Sequence, residues 1–139
     1  MSKFLFVCTG NICRSPMAEY LARDLASPEH QFSGAGTWTT DGRPPSESAV
    51  VVMEESGIDI SAHRSADLWT LGPLEGITIF AMARDHHEEI AQRLPGADVL
   101  LLDPQGRSII DPYGGSLASY RLVRDAIRAA IEERAPTWA

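Results

Sequence analysis

Three residue patterns follow one another at the start of the chain, and their order narrows the fold more than anything after them. Phe4-Leu5-Phe6-Val7 is a short apolar run, the mark of a buried strand. Met17 to Leu25 repeats apolar residues at helical spacing, with Met17, Leu21 and Leu25 on one face and Ala18 and Ala22 beside them. Between them lies Cys8-Thr9-Gly10-Asn11-Ile12-Cys13-Arg14-Ser15-Pro16, a short loop from a strand end to a helix start. Ser15 fits the N-cap and Pro16 the first helical position, where its missing N–H costs nothing. Helix N-termini favour anions through their free N–H groups and the helix dipole. With Gly10 to let the amides turn inward and Arg14 following Cys8, Thr9 to Ser15 reads as a phosphate cradle with a nucleophilic thiol, Cys8, at its floor.

Downstream, strand and helix patterns alternate. A second strand is expected near Gln31 to Ala35, and a second helix over Ser46 to Ser56 with Ala49, Val52 and Met53 inside and Gly57 stopping it. Ile77 to Met82 reads as a buried strand, Asp85 to Leu94 as a helix capped by Asp85, and Asp98 to Leu102 as another strand. The last helix spans Leu117 to Arg134, with Tyr120, Val123, Ile127, Ala130 and Ile131 as its stripe. Gly36 to Pro45 and Asp103 to Ser116 read as loops, and Ile58 to Leu71 carries no clear period. The order βαβαβαβα predicts an α/β fold: a single-domain open parallel sheet of about four strands, helices on both faces and the phosphate loop after strand 1. Ligands of such sheets sit at the carboxyl ends of strands, at a switch point, and Cys8 falls at a strand end.

At 139 residues the chain makes one domain, residues 1–139. Lys and Arg number 12 against 19 Asp and Glu, a net charge of −7, which argues against non-specific binding to nucleic acid or a membrane surface. No apolar run is long enough to span a membrane. The strand begins almost at once, leaving no room for a signal peptide, and both cysteines lie in the opening loop, so a reducing, cytoplasmic setting is expected. No metal or cofactor is expected: His86 and His87, followed by Glu88 and Glu89, read as a solvated helix face rather than a metal pair.

Hydrolysis of a phosphate ester without a metal needs a nucleophile, donors for the non-bridging oxygens, an acid for the leaving group and a base for water. Cys8 supplies the first. The amides of Thr9 to Arg14 and the Arg14 guanidinium, which grips two oxygens where a lysine cannot, supply the second. Ser15 Oγ is placed to hydrogen-bond the Cys8 sulfur, and Asn11 to pin the loop through its side-chain amide.

The string Phe6-Val7-Cys8-Thr9-Gly10-Asn11-Ile12-Cys13-Arg14-Ser15-Pro16-Met17-Ala18-Glu19 resembles the opening of the low-molecular-weight protein tyrosine phosphatases. Gly42-Arg43-Pro44-Pro45, Ser61-Ala62-His63-Arg64 and Asp111-Pro112-Tyr113-Gly114-Gly115-Ser116 are similar to later segments of that family, so the resemblance covers essentially the whole chain. It implies that Asp111 is the general acid and then the base, completing a catalytic set of Cys8, Arg14 and Asp111. Asp103-Pro104 directly follows a strand and lacks the Tyr-Gly context, so it reads as a turn. The resemblance also implies a substrate rim of Ile12, Trp38 and Tyr113 around a flat ring, with Gly114 where many members carry a second tyrosine. Trp38 is otherwise a loop residue covering the core edge. The cysteine matching Cys13 pairs with the nucleophile under oxidation, which makes Cys13 a redox partner or else a small buried residue. His63 matches a histidine that supports the loop asparagine and serine; the family's partner serine is Gly34 here, with Ser33 beside it, and His63 is expected to be structural.

Three activities share this scaffold. The resemblance extends to a protein arginine phosphatase branch, whose selectivity is associated with a threonine at the position of Ile12. Isoleucine adds apolar bulk suited to a phenyl ring. Thiol-coupled arsenate reduction relays oxidation through further cysteines, and none follows Cys13. A silent phosphate-reading module would lack the Cys, Arg or Asp, and all three are present. The expectation is hydrolysis of protein phosphotyrosine and aryl phosphates through a cysteinyl-phosphate, by a monomer or weak dimer acting on a phosphorylated protein. Arginine dephosphorylation is the alternative.

Overall fold

The computed structural model describes residues 2–138. Strands β1 (Lys3–Cys8), β2 (Gln31–Gly36), β3 (Ile77–Ala81) and β4 (Asp98–Leu101) form one parallel sheet in the order β2-β1-β3-β4. The helices are α1 (Arg14–Leu25), α2 (Glu47–Glu54), α3 (Arg84–Arg93) and α4 (Leu117–Arg134). Alternation along β1 divides the core. Phe4, Phe6 and Cys8 face one side with Met17, Leu21, Met53 and Ile127, from α1, α2 and α4. Leu5 and Val7 face the other, with Ile79, Leu68 and Ile90 of α3. This is the α/β sheet with helices on both faces that the sequence predicts. β1 lies between β2 and β3, so the chain leaves it first to one side and later to the other, and the switch point falls at its carboxyl end beside Cys8. Cys8 stands opposite Gly36 in register. A Cβ on Gly36 would lie 2.5 Å from the Thr9 carbonyl oxygen, so only glycine lets β2 end this close to the loop.

Two helix starts differ from expectation. α1 begins at Arg14 with Cys13 in the cap position and no side-chain cap, so Ser15 is not the N-cap and Pro16 is not the first helical residue. The Ser15 hydroxyl is turned back into the loop instead, toward Asn11 and Cys8. α3 begins at Arg84 after Ala83, so Asp85 is not the cap; His86 Nδ1 accepts the Ala83 N–H at 3.1 Å in its place. Residues 58–71 fold without regular hydrogen bonding until a short turn of 3₁₀-helix, Leu68–Thr70, and are pinned by side chains such as Asp59 to the Ser61 N–H and Asp67 to the Trp69 N–H. Among the described residues no helix is long and apolar enough to cross a membrane.

Candidate active site

The loop after β1 is held by its carbonyls. Cys8 O accepts the Thr37 N–H at 2.9 Å, Thr9 O the Trp38 N–H at 3.0 Å, Ile12 O the Ser46 N–H at 2.9 Å and Cys13 O the Met17 N–H at 3.3 Å. Asn11 O accepts from His63 Nε2 at 2.8 Å. Among the described residues, by contrast, no backbone N–H of residues 9–14 has a partner. Surrounding elements use the loop's acceptors and leave its donors for an anion. The reversal is made at Asn11, whose φ of 55° lies in the left-handed region that asparagine tolerates. Gly10 is not in that region, so the expectation that glycine turns the amides inward is corrected. The Asn11 side chain locks the turn: Oδ1 accepts the Ala66 N–H at 3.0 Å and Nδ2 donates to Ser15 Oγ at 2.6 Å. Ser15 Oγ lies 3.0 Å from Cys8 Sγ, and since it accepts from Asn11 its own proton is free to point at the sulfur.

Arg14 joins this loop to the late Asp-Pro loop. Its side chain is 5% exposed, Nη1 donates to the Ile109 carbonyl at 2.8 Å, and Nη2 lies 3.7 Å from Asp111 Oδ2. Nε is buried without a partner among the described residues. The Nε–H and one Nη2–H form one edge of the planar group, the fork that fits two phosphoryl oxygens. Leaving such a donor unpaired costs about 1–3 kcal/mol, which an oxyanion in the cavity would offset.

A cavity of about 360 Å³ brings together Cys8, Ile12, Arg14, Trp38, Asp111 and Tyr113. Trp38 is 83% exposed, so it covers no core and stands as a wall of the cavity mouth; Tyr113 is 65% exposed. The Asp111 side chain is 51% exposed, and its Oδ1 accepts the Tyr113 N–H at 3.1 Å. Asp103 opens a separate turn by accepting the Gln105 N–H at 2.8 Å and pairs with Arg107. A larger cavity, about 720 Å³, lies at the opposite end of the sheet beside Trp69 and Arg93 and contains none of the predicted residues.

Cys13 Sγ lies 3.4 Å from both Ser46 Oγ and Tyr120 OH. Burial, only partly opposed by those two bonds, raises the Cys13 thiol above its ordinary pKa. The asparagine network stands without a serine at position 34: Ser33 bonds the Phe4 carbonyl instead, while a Cβ on Gly34 would lie 2.9 Å from Asn11 Nδ2 and 3.0 Å from Glu19 Oε1. Burial lowers the His63 pKa, keeping the ring neutral with its proton on the nitrogen that donates to Asn11.

Sequence reasoning placed His86 on a solvated face. The structure corrects this: His86 is 1% exposed and its Nε2 lies 2.9 Å from Thr9 Oγ1. Because Nδ1 accepts the Ala83 N–H, the proton sits on Nε2 and is donated to Thr9. Burial first, and the Arg14 charge second, lower the His86 pKa, against the pull of Asp85, Asp111 and Glu89. Nothing local in sequence pairs Thr9 with His86, because the fold brings together strand ends that are far apart along the chain. Arg43 also lines the cavity, a placement its loop gave no sign of. No group of three or more His, Cys, Asp or Glu gathers as a metal site among the described residues.

Comparison with known proteins matches the chain over nearly its whole length. The family model described as low molecular weight phosphotyrosine protein phosphatase matches residues 3–138. A protein-arginine-phosphatase of Geobacillus stearothermophilus is 34% identical, covering 96% of this chain and 93% of the relative. A probable low molecular weight protein-tyrosine-phosphatase, EpsP, of Ralstonia nicotianae is 35% identical, covering 95% of this chain and 92% of the relative. Among solved structures, Vibrio vulnificus Wzb in complex with benzylphosphonate superposes with a TM-score of 0.90 at 27% identity, covering 99% of each chain. The chain belongs to the low molecular weight phosphotyrosine protein phosphatase family.

Proposed function

We propose that this chain hydrolyses phosphotyrosine on protein substrates, and aryl phosphates, through a cysteinyl-phosphate. One observation carries the reading: the loop that lines the cavity with Cys8 has every carbonyl from Cys8 to Cys13 but Gly10's bonded and, among the described residues, no partner for its amides or for Arg14 Nε. Cys8 Sγ attacks phosphorus, the bond to the leaving oxygen breaks, and Asp111 gives that oxygen its proton. Asp111, now a carboxylate, takes a proton from water as the water oxygen attacks phosphorus. The P–S bond breaks, phosphate leaves, and the Cys8 thiolate returns to the Ser15 hydroxyl. Amides of residues 9–14 and the Arg14 fork hold the non-bridging oxygens throughout. Cys13 serves as the redox partner of Cys8, forming a disulfide when peroxide oxidises the pair, and the enzyme works as a monomer or weak dimer in a reducing cytoplasm.

The benzylphosphonate of the Vibrio relative is an aryl-bearing phosphate mimic, and the apolar side chain of Ile12 in this chain's cavity suits such a ring. A second reading, arginine dephosphorylation, is favoured by the Geobacillus relative. One experiment separates them: kcat/KM on phosphotyrosine and phosphoarginine peptides for wild type, Ile12→Thr and Cys8→Ser. Wild type should prefer phosphotyrosine, Ile12→Thr should shift the ratio toward phosphoarginine, and Cys8→Ser should be silent on both. A wild-type preference for phosphoarginine would replace the substrate, and turnover by Cys8→Ser would remove the nucleophile.

A further inference from the structure

Arg43 stands apart from every other arginine in the molecule. Lys3 is the one lysine among the 12 basic residues, which leaves eleven arginines. Ten of them make a hydrogen bond or an ion pair through the guanidinium among the described residues. The Arg43 guanidinium makes none. Its backbone, however, is fixed: its N–H donates to Ser65 Oγ at 2.9 Å and its carbonyl accepts the Ser65 N–H at 2.8 Å. Pro44 and Pro45 follow and restrict the chain further. The head lies against the phosphate loop, with Nη1 3.7 Å from where a Cβ on Gly10 would stand, and lines the same cavity as Trp38 and Tyr113. In a chain of net charge −7, Arg43 is thus the one arginine head without a hydrogen bond or ion pair among the described residues, and it sits, on a fixed backbone, at this cavity.

We infer that Arg43 grips a carboxylate of the substrate protein beside the phosphorylated residue, so that acidic phosphotyrosine segments are the preferred substrate class. This rests on the phosphotyrosine reading above. The phosphoryl group is served at the cavity floor by Arg14 and the loop amides. Arg43 is exposed at the rim, where it meets the flanking peptide instead. A planar guanidinium matches a carboxylate in a two-point contact, and its field draws acidic chain toward a surface that otherwise repels it.

The test uses two phosphotyrosine peptides that differ only in carrying Glu or Lys on both sides of the phosphorylated residue. The readout is the Glu/Lys ratio of kcat/KM for wild type, Arg43→Glu and Arg107→Glu. Arg107 is exposed, pairs with Asp103 and lies outside this cavity, so its substitution makes the same change in net charge. At low ionic strength Arg43→Glu should lower the ratio about fivefold to tenfold, Arg107→Glu should leave it within about twofold, and added salt should erase the difference. An equal shift in both variants would assign the effect to net charge, and no shift in either would remove Arg43 from recognition. Either result leaves the phosphatase reading intact. Failure of wild type on both peptides, with turnover of phosphoarginine, would overturn that reading and this one with it.

Discussion

Residues 8–15 and residues 109–116 face the same cavity, yet they are held in opposite ways. The first segment is mostly buried and tied on several sides, to Thr37 and Trp38 just past β2 through Cys8 and Thr9, to Ser46 at the cap of α2 through Ile12, and to residues 63–66 through Asn11. The second is mostly exposed. Among the described residues its ties to the rest of the chain are the Ile109 N–H to the Met82 carbonyl at 2.8 Å, the Ile109 carbonyl to Arg14 at 2.8 Å, the Arg14–Asp111 ion pair at 3.7 Å, and Ser116 capping α4; within the segment, Asp111 Oδ1 accepts the Tyr113 N–H and the Pro112 carbonyl accepts the Gly115 N–H. The difference follows from what each must do. Donors that stabilise charge on the phosphoryl oxygens work best when they need no reorganisation. A group that trades protons with a departing alcohol and then with water needs access to both, and gains from a looser seat at the rim.

The largest expected effect tests the exposed side. Asp111→Asn should reduce kcat by about 10²–10⁴-fold on esters with poor leaving groups, and much less on good ones such as p-nitrophenyl phosphate. Equal losses on both would show that Asp111 does not protonate the leaving oxygen. On the buried side, Arg14→Lys keeps the charge and loses the fork, and should cost about 10²–10³-fold in kcat/KM with either leaving group. A leaving-group-dependent loss in Arg14→Lys would mean that the arginine acts chiefly through Asp111, 3.7 Å away, and would blur the two roles. Stability separates the segments next. Asn11→Ala removes one buried and one part-buried hydrogen bond and a side chain suited to φ 55°, and should cost about 2–4 kcal/mol in urea unfolding. Tyr113→Ala, at an exposed position, should cost less than about 0.5 kcal/mol. Similar losses in the two variants would break the contrast.

The sheet, its helices and the position of Cys8 were legible because they depend on local periodicity and a loop of fixed length. Two helix starts were not. Ser15 has the chemistry of an N-cap, but Asn11 and Cys8 take its hydroxyl, a competition between side chains that propensity does not register. Residues 58–71 showed no period because their order comes from single side-chain contacts, Asn11 to Ala66 and Ser65 to Arg43 among them. Ile12, Trp38 and Tyr113 were placed at the rim by resemblance, and the fold brings them to one cavity. His86 was misread because its neighbours Asp85, His87, Glu88 and Glu89 look solvated. Its burial is decided by Thr9 across the sheet, a contact that single-sequence patterning does not carry.

The smallest effect concerns pH, and again it should divide the segments. His63 and His86 brace the buried loop, at Asn11 O and Thr9 Oγ1, and burial lowers the pKa of both. The folded chain therefore holds them neutral while the unfolded chain binds their protons near pH 6.5. Their contribution to stability is whole above that pH and is lost as pH falls from it toward the folded values. Glu19, whose carboxyl burial raises, contributes with the opposite sign, stabilising below its ordinary value of 4.5 and less as pH rises through its folded one. The histidine part is isolated by comparing wild type with the double variant His63→Gln, His86→Gln, in which amides replace the ring donors. Wild type should lose Tm between pH 7 and pH 5.5, and the double variant should lose less. Hydrogen exchange corrected for pH should show protection falling first at the Trp38 and Ala66 amides, which bond to Thr9 O and Asn11 Oδ1, while the Gly115 amide of the acid loop stays unchanged. Uniform loosening of all three would mean that the histidines brace the whole fold and not the phosphate loop in particular.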